Sequence, residues 1–524
     1  MKSTSAAALT ISLWAFIGWG WGVTQAAEPI RGSSFKEWCD NQASLSAEAR
    51  ITVEVLLAEA RTNDCELAAK NLLSRRALDL NQTGISDLSP LSALTNLENL
   101  ALYNNRITDI RPLAGLKNLK QLSISGNQIT DLRPLAGLTN LASLSLGNNQ
   151  IADVSPLAGL TNLTWLVLDK NKIQDVRALA RLTNLTRLNL IANKIADISH
   201  LAGLTNLNRL DLGSNQIKDI SPLAGLTNIT WLFLEDNQIK DISPLAKLTN
   251  LKRLILTFNQ IKDVSSLAGL TNLDWLNLSL NQVEDISSLA KLANVTELYL
   301  QDNQIKDVSS LAGMTNLKQL DLDYNQIKDV SFLAGLTNLQ QLNLEGNQID
   351  VRSLAGLKNV GSLNLKNNQI ANISPLAGLT NLTRLNLVGN QIADLAPLGE
   401  LTKLEFLYLE GNPIKNVSPL SRLINLKSLD LKGKQITDVS PLAELTNLSW
   451  LNLEGNQIKD VRPLAKLINL RSLNLRFNPV ADFTPLAALK NLSSLYLADN
   501  AIPSDSSANA RQNCPVSGRD VCQF

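Results

Sequence analysis

The stretch LASLSLGNNQIADVSPLAGLTN, Leu141–Asn162, decides how the chain folds. Leu144 and Leu146 alternate with Ser143 and Ser145, the period of a short strand buried on one side. Asn149 then ends the alternation. Ile151, Val154, Leu157 and Leu160 follow at wider, turn-like spacings, with Asp153 and Pro156 among them. At Leu163 the same string begins again. The pattern L-x-x-L-x-L-x-x-N-x-I-x-D-V-x-P-L-A-x-L-T-N repeats every 22 residues from Arg75, in twenty units, the last truncated and starting at Leu492. One copy, Asn347–Leu357, is a residue short between Ile349 and Asp350.

Identical strands at a fixed spacing, each followed by a turn and a return, must run parallel. Seven apolar positions per unit point inward. A single unit cannot offset the entropy of ordering its own backbone, so the units have to stack. The expected fold is an α/β repeat solenoid with one parallel sheet. The Asn after each strand, such as Asn149, Asn215 and Asn303, is expected to bond backbone groups that the turn leaves open. The repeated Asp, such as Asp153, Asp219 and Asp307, reads as an Asx turn rather than a calcium ladder, because calcium needs several oxygens converging on one point.

Four segments follow. Residues 1–26 have one early Lys, an uncharged apolar run and a small-residue end, and read as a signal peptide, with a retained anchor as the competing reading. Residues 27–74 read as a helical N-terminal cap with Ser46 as an N-cap. Residues 75–505 are the solenoid, and 506–524 a C-terminal cap. A solenoid exposes core and strand edges at both ends, which is why caps are expected. The four cysteines, Cys39, Cys65, Cys514 and Cys522, all lie outside the repeats. Export implies disulfides, and of three possible pairings the local one, Cys39–Cys65 with Cys514–Cys522, is expected. No further apolar stretch has spanning length, so no membrane contact is expected beyond the signal segment. The chain should be exported, to the periplasm or outside the cell.

The string LxxLxLxxNxIxDVxPLAxLTN is similar to the 22-residue repeat of leucine-rich repeat proteins of the bacterial internalin type. The likeness covers residues 75 to about 505. It implies a right-handed horseshoe or superhelix with a concave sheet, short helical turns outside, and a secreted or surface protein that binds other molecules. No immunoglobulin-like region, sorting signal or glycine-tryptophan module is visible, so host-cell invasion is not carried over.

Composition narrows the function. Net charge is +1 and no basic tract stands out, which argues against nucleic acid. The only histidine, His200, occupies the outer slot that holds Pro222 and Pro244 elsewhere. No nucleophile stands at motif spacing from it, and there is no phosphate loop. We expect no enzyme, cofactor or metal. The concave positions are more informative. Third, fifth and seventh positions alternate with buried leucines, and the eighth lies at the strand's end. Successive third positions read Trp165, Arg187, Arg209, Trp231, Arg253, Trp275, whereas earlier ones are Ala77, Asn99, Gln121 and Ser143. Phe233 and Tyr299 flank the column, with Phe258 and Tyr324 at strand ends. Phe406, Tyr408 and Trp450 form a second patch. Trp, Tyr and Arg dominate binding hot spots, although Arg stacked on Trp also stabilises itself. The expected ligand is a protein, with a polysaccharide as the alternative and a passive envelope scaffold as the third reading.

Overall fold

The computed structural model describes residues 34–433, 435–500, 514–516 and 521–523. The signal segment 1–26 lies outside the described residues, as does Lys434, which stands where other repeats carry the turn asparagine.

A single parallel sheet of 21 strands runs the length of an open curved solenoid. Twenty strands of three residues, from Ala77–Asp79 to Ser494–Tyr496, come one from each repeat. Each pairs with the next at identical repeat positions, as Ser143 does with Trp165 and Leu144 with Leu166. The return path is a 3-10 turn such as Ser155–Gly159, with Pro156 in its first turn. Pro is tolerated there because those N–H groups have no partner inside the helix.

The seven apolar positions form one continuous core. In the Leu141–Asn162 unit all seven, Leu141, Leu144, Leu146, Ile151, Val154, Leu157 and Leu160, are buried. The strand-end asparagine is buried with them and fully used. Asn149 Nδ2 donates to Leu146 O (3.0 Å) and to Ile124 O of the preceding rung (3.1 Å), and its Oδ1 accepts from Ile129 N (3.0 Å). It therefore ties two rungs together where strand pairing stops. The last asparagine of the unit forms a second ladder, which sequence reading left unassigned: Asn162 Nδ2 donates to Thr139 O (2.9 Å). The outer aspartates make Asx turns, with Asp153 Oδ1 accepting Ser155 N–H (2.8 Å).

The ends are closed differently. Helices Phe35–Asp40, Ala47–Ala60 and Cys65–Ser74 cover the first rung. Ser46 Oγ caps the middle helix by accepting Ala49 N–H (3.1 Å), and buried Thr52 Oγ1 donates to Asp87 O (2.6 Å) of the first repeat. Cys39 and Cys65 are disulfide-bonded, as are Cys514 and Cys522. The C-terminal loop does more than lie over the last strand. Cys522–Gln523 adds a parallel strand beside Leu495 and Tyr496 and covers the sheet edge.

The short repeat does not interrupt the sheet. Gln341 pairs with Ser362 and Asn343 with Asn364, in register. The missing residue is absorbed on the outside, where Asp350 caps a 3-10 turn, Val351–Leu354. No described helix is long and apolar enough to cross a membrane.

Candidate binding surface

The sheet's open face is built from the odd strand positions, because the even ones are spent on the core. The third-position column is continuous. Trp165 is beside Arg187, Arg187 beside Arg209, Arg209 beside Trp231, Trp231 beside Arg253, and Arg253 beside Trp275. At about 4.8 Å per strand the six side chains span about 24 Å.

Within the column the side chains stack. The Arg187 guanidinium lies 5.9 Å from the Trp165 ring centre. Trp231 is held between Arg209 at 5.1 Å and Arg253 at 5.0 Å. Arg209 also sits 5.0 Å from Phe233. Trp231 is therefore half-buried by its own neighbours, the self-stacking that the order of Arg and Trp allowed. Trp275 is engaged too. Its ring centre is 5.2 Å from that of Tyr299, and its Nε1 donates to Glu297 Oε2 (2.9 Å). The Tyr299 hydroxyl donates to the same oxygen (2.8 Å). Burial, together with that bond, pushes the Tyr299 phenol up to about 12. Trp165, at the column's end, remains 47% exposed.

Phe258 and Tyr324 are not part of this stack. They occupy the eighth position, five residues further along the chain and beyond the three-residue strand. There the backbone is left-handed, with φ of 56° at Phe258 and 48° at Tyr324. Leu280, which sequence reading missed, occupies the same slot at φ 54°. The available signal was an apolar residue where other repeats carry Gly126, Asn148 or Asp236. All three side chains are exposed, Phe258 most of all at 58%. Gly346 makes room for the Tyr324 ring, which a Cβ at that position would strike. The Tyr324 hydroxyl donates to Glu345 Oε1 (2.7 Å).

Acidic groups line the floor and the strand ends. Asp211 is buried and accepts from Arg209 Nε (3.1 Å), yet burial outweighs that cation and pushes its carboxyl up to about 6. Burial and the neighbouring Asp321 push Asp323 up to about 7, and burial raises Asp321 and Glu235 as well. Glu235 Oε2, Thr257 Oγ1, Gln301 Oε1 and Asp323 Oδ1 are buried without a hydrogen-bond partner within the chain.

The second patch lies beyond the short repeat. Arg384 is 4.3 Å from the Phe406 ring centre, Tyr408 shares that strand with Phe406, and Trp450 stands two strands on. A recess of about 550 Å³ lies elsewhere, on the outer turns, between side chains such as Lys240, Asp241, Lys262 and Asp263. Those aspartates are already used, since backbone N–H groups of Ser243 and Ser265 hold Asp241 and Asp263 below the usual carboxylate range. His200 is on the same outer side, and its Nδ1 lies 3.1 Å from the adjacent Ser199 Oγ. Among the described residues no three His, Cys, Asp or Glu side chains converge as a metal-ligand set.

A model of leucine-rich repeats in two copies matches residues 76–115, 117–159, 161–203, 191–225, 227–269, 271–313, 358–400, 402–444 and 446–488. A second leucine-rich repeat model matches 293–349. The chain belongs to the leucine-rich repeat family. Among solved structures, this leucine-rich repeat protein is similar to the plant peptide hormone receptor RGFR1 in complex with RGF2, at 22% identity and TM-score 0.64, over 83% of this chain and 80% of that one. It is similar to the LRR protein LIC12759 of Leptospira interrogans at 28% identity and TM-score 0.61, over 73% and 96%. An internalin of Listeria monocytogenes, inlF, is 27% identical over 81% and 94%, with a TM-score of only 0.39. No protein in the curated comparison matches. The repeat family is one of binding scaffolds, and none of these likenesses brings a catalytic residue.

Proposed function

We propose that this is an exported leucine-rich repeat protein that recognises a protein partner on its concave face, between Trp165 and Glu345. The observation that carries the reading is the unbroken arginine–tryptophan column. It groups Trp165, Trp231 and Trp275 with three arginines on one stretch of the sheet, leaves Trp165 half-exposed and sets exposed Phe258 and Tyr324 nearby. Exposed apolar patches of this kind mark interaction sites, and the residue types are those of hot spots. The two disulfides support export. The plant receptor's peptide complex supports the class of ligand only as far as the shared fold does.

The test is affinity capture from envelope fractions on the immobilised chain, beside a triple variant, Trp165→Ser, Trp231→Ser and Trp275→Ser. Ser already stands in that slot at Ser143, Ser362 and Ser428, so matched thermal melts are expected. A partner held by the native chain and lost by the folded variant supports the reading. Equal capture moves the site elsewhere. No capture favours a passive scaffold, and capture of polysaccharide alone favours the glycan alternative.

A further inference from the structure

The two edges of this surface differ in charge. On the edge where strands begin, Arg187, Arg209, Lys252, Arg253 and Lys318 outnumber Asp274 and Glu297. On the edge where strands end, the seventh and eighth positions of the rungs from Arg187 to Glu345 carry Glu235, Asp236, Asp302, Asp323 and Glu345 and no cation; Lys170 stands there on the Trp165 rung, and Lys366 of the following rung pairs with Glu345 Oε1 (2.8 Å). Between the edges lies the apolar floor of Trp231, Phe233, Trp275 and Tyr299.

The strand-end edge also lacks donors. Glu235, Thr257, Gln301 and Asp323 stand at the seventh position of neighbouring rungs, and each has a buried oxygen without a partner in the chain. Ser279, the remaining member of that row, is satisfied by Asn277 (2.5 Å). Elsewhere among the described residues such atoms are scattered, at Trp38, Arg476 and Asn500. Three of these are carboxylate or amide oxygens and Thr257 adds a hydroxyl; buried acceptors without donors are costly, so a side-chain movement that brought them to a partner's donors would be favourable. Gly213 is part of the arrangement, because a Cβ there would collide with the Glu235 carboxylate. Along the same edge Phe258, Leu280 and Tyr324 stay in left-handed backbone, which bulky side chains disfavour.

The geometry points to a polarised groove that binds a segment of another protein in one orientation only: an apolar row on the aromatic floor, carboxylates toward Arg187 and Arg253, and Lys or Arg toward Asp236, Asp302 and the unpartnered oxygens. This deepens, and rests on, the protein-binding reading of the same face. Charge complementarity commits it to a protein segment. A polyanionic glycan would be repelled at the strand-end edge. Leu280, 42% exposed, offers no flat ring for a sugar and suits an apolar side chain. The third and fifth positions are about 7 Å apart along a strand, and an α-helix of about 10–12 Å laid over them would hold charged side chains toward both flanks.

The experiment pans a displayed library of random 20-residue peptides on the full oxidised chain and, in parallel, on the folded Trp165→Ser, Trp231→Ser, Trp275→Ser variant. Enriched peptides are expected to carry an apolar row with acids on one flank and Lys or Arg on the other. A synthetic copy should then lose at least tenfold in affinity when its flanking charges are exchanged. The exposed pair Asp236→Lys and Asp302→Lys should cause a similar loss, recovered when the peptide's Lys and Arg become Glu. Peptides lost on the tryptophan variant but bearing one sign of charge, or none, overturn the polarised groove and leave protein binding standing. So does indifference to the charge exchange. No enrichment above the tryptophan variant overturns both.

Discussion

The rungs from Trp165 to Glu345 and those from Arg384 to Trp450 are built on the same repeat and both carry aromatics inside the curve, but they treat charge and backbone differently. In the second group the charges satisfy one another. Lys432 Nζ lies 3.1 Å from Glu454 and 3.9 Å from Glu410, and Lys427 lies 2.7 Å from Glu405. Gly389, Gly411, Gly433 and Gly455 fill the left-handed slot in successive rungs, where glycine meets no steric penalty. In the first group Phe258, Leu280 and Tyr324 fill that slot, and four neighbouring side chains keep unpartnered oxygens. Charges in the first half pair as well, Arg209 with Asp211 (3.1 Å) and Glu345 with Lys366 (2.8 Å), so the difference lies in the unpartnered oxygens and the bulky left-handed residues. Aromatic content alone did not distinguish them, since each half has its own patch.

The comparison can be broken at its base. Leu232→Ala and Leu451→Ala remove equivalent, fully buried strand leucines, and each should cost about 2–5 kcal/mol. Equal losses in denaturant unfolding keep the difference on the open face, whereas a much smaller loss in one half would place it in the core. Next comes binding. Trp165→Ser with Trp231→Ser should lower affinity for an enriched peptide at least tenfold, while Phe406→Ser with Trp450→Ser should leave it unchanged by calorimetry. A reversed result would make the second patch the site.

A smaller effect concerns the strand-end backbone. Phe258→Gly should gain roughly 1 kcal/mol of stability as the left-handed residue is relieved, while peptide affinity falls. Gly455→Ala, at φ 70°, should lose roughly 1 kcal/mol without touching affinity. Loss of stability in both would show that the first half holds its bulky side chains without strain.

The smallest effect is a pH dependence. The Asp323 carboxyl is raised to about 7 in the folded chain by burial and by Asp321, against about 3.9 when unfolded. Between those values the folded state holds the extra proton, so this group's contribution to stability falls as pH rises. Asp323→Asn should therefore raise the melting temperature most at pH 8, less at pH 5, and leave it nearly unchanged near pH 3. The outer Asp175, lowered to about 2 chiefly by its hydrogen bond to Arg177, works in the opposite sense below about pH 4. Equal melting shifts at all three pH values for Asp323→Asn would remove the buried-charge account.

Much of the fold was legible in one unit of sequence. Leu144 and Leu146 alternate with Ser143 and Ser145, and the 22-residue return makes every such strand parallel. Asn149 and Asp153 could be given their turn roles because each needs only backbone groups a few residues away or one rung back. The third-position column was legible for the same reason: a fixed register turns a list of residues into a line in space. What went unread depends on two neighbours at once. The residue order allowed Arg–Trp stacking, but only the structure shows that Trp231 is held from both sides, by Arg209 and Arg253. Leu280 escaped notice because its meaning lies in a left-handed backbone that only the assembled turn imposes.

By itself the sequence determined the repeat, the parallel register, the core positions and which side chains face inward on the curve. Those follow from short-range periodicity multiplied by stacking. The tertiary structure alone decided which charges pair, which oxygens are left without donors, and that the short repeat near Asp350 keeps the sheet in register. These depend on distances across rungs, where burial raises or satisfies a group according to neighbours 22 residues away in the chain.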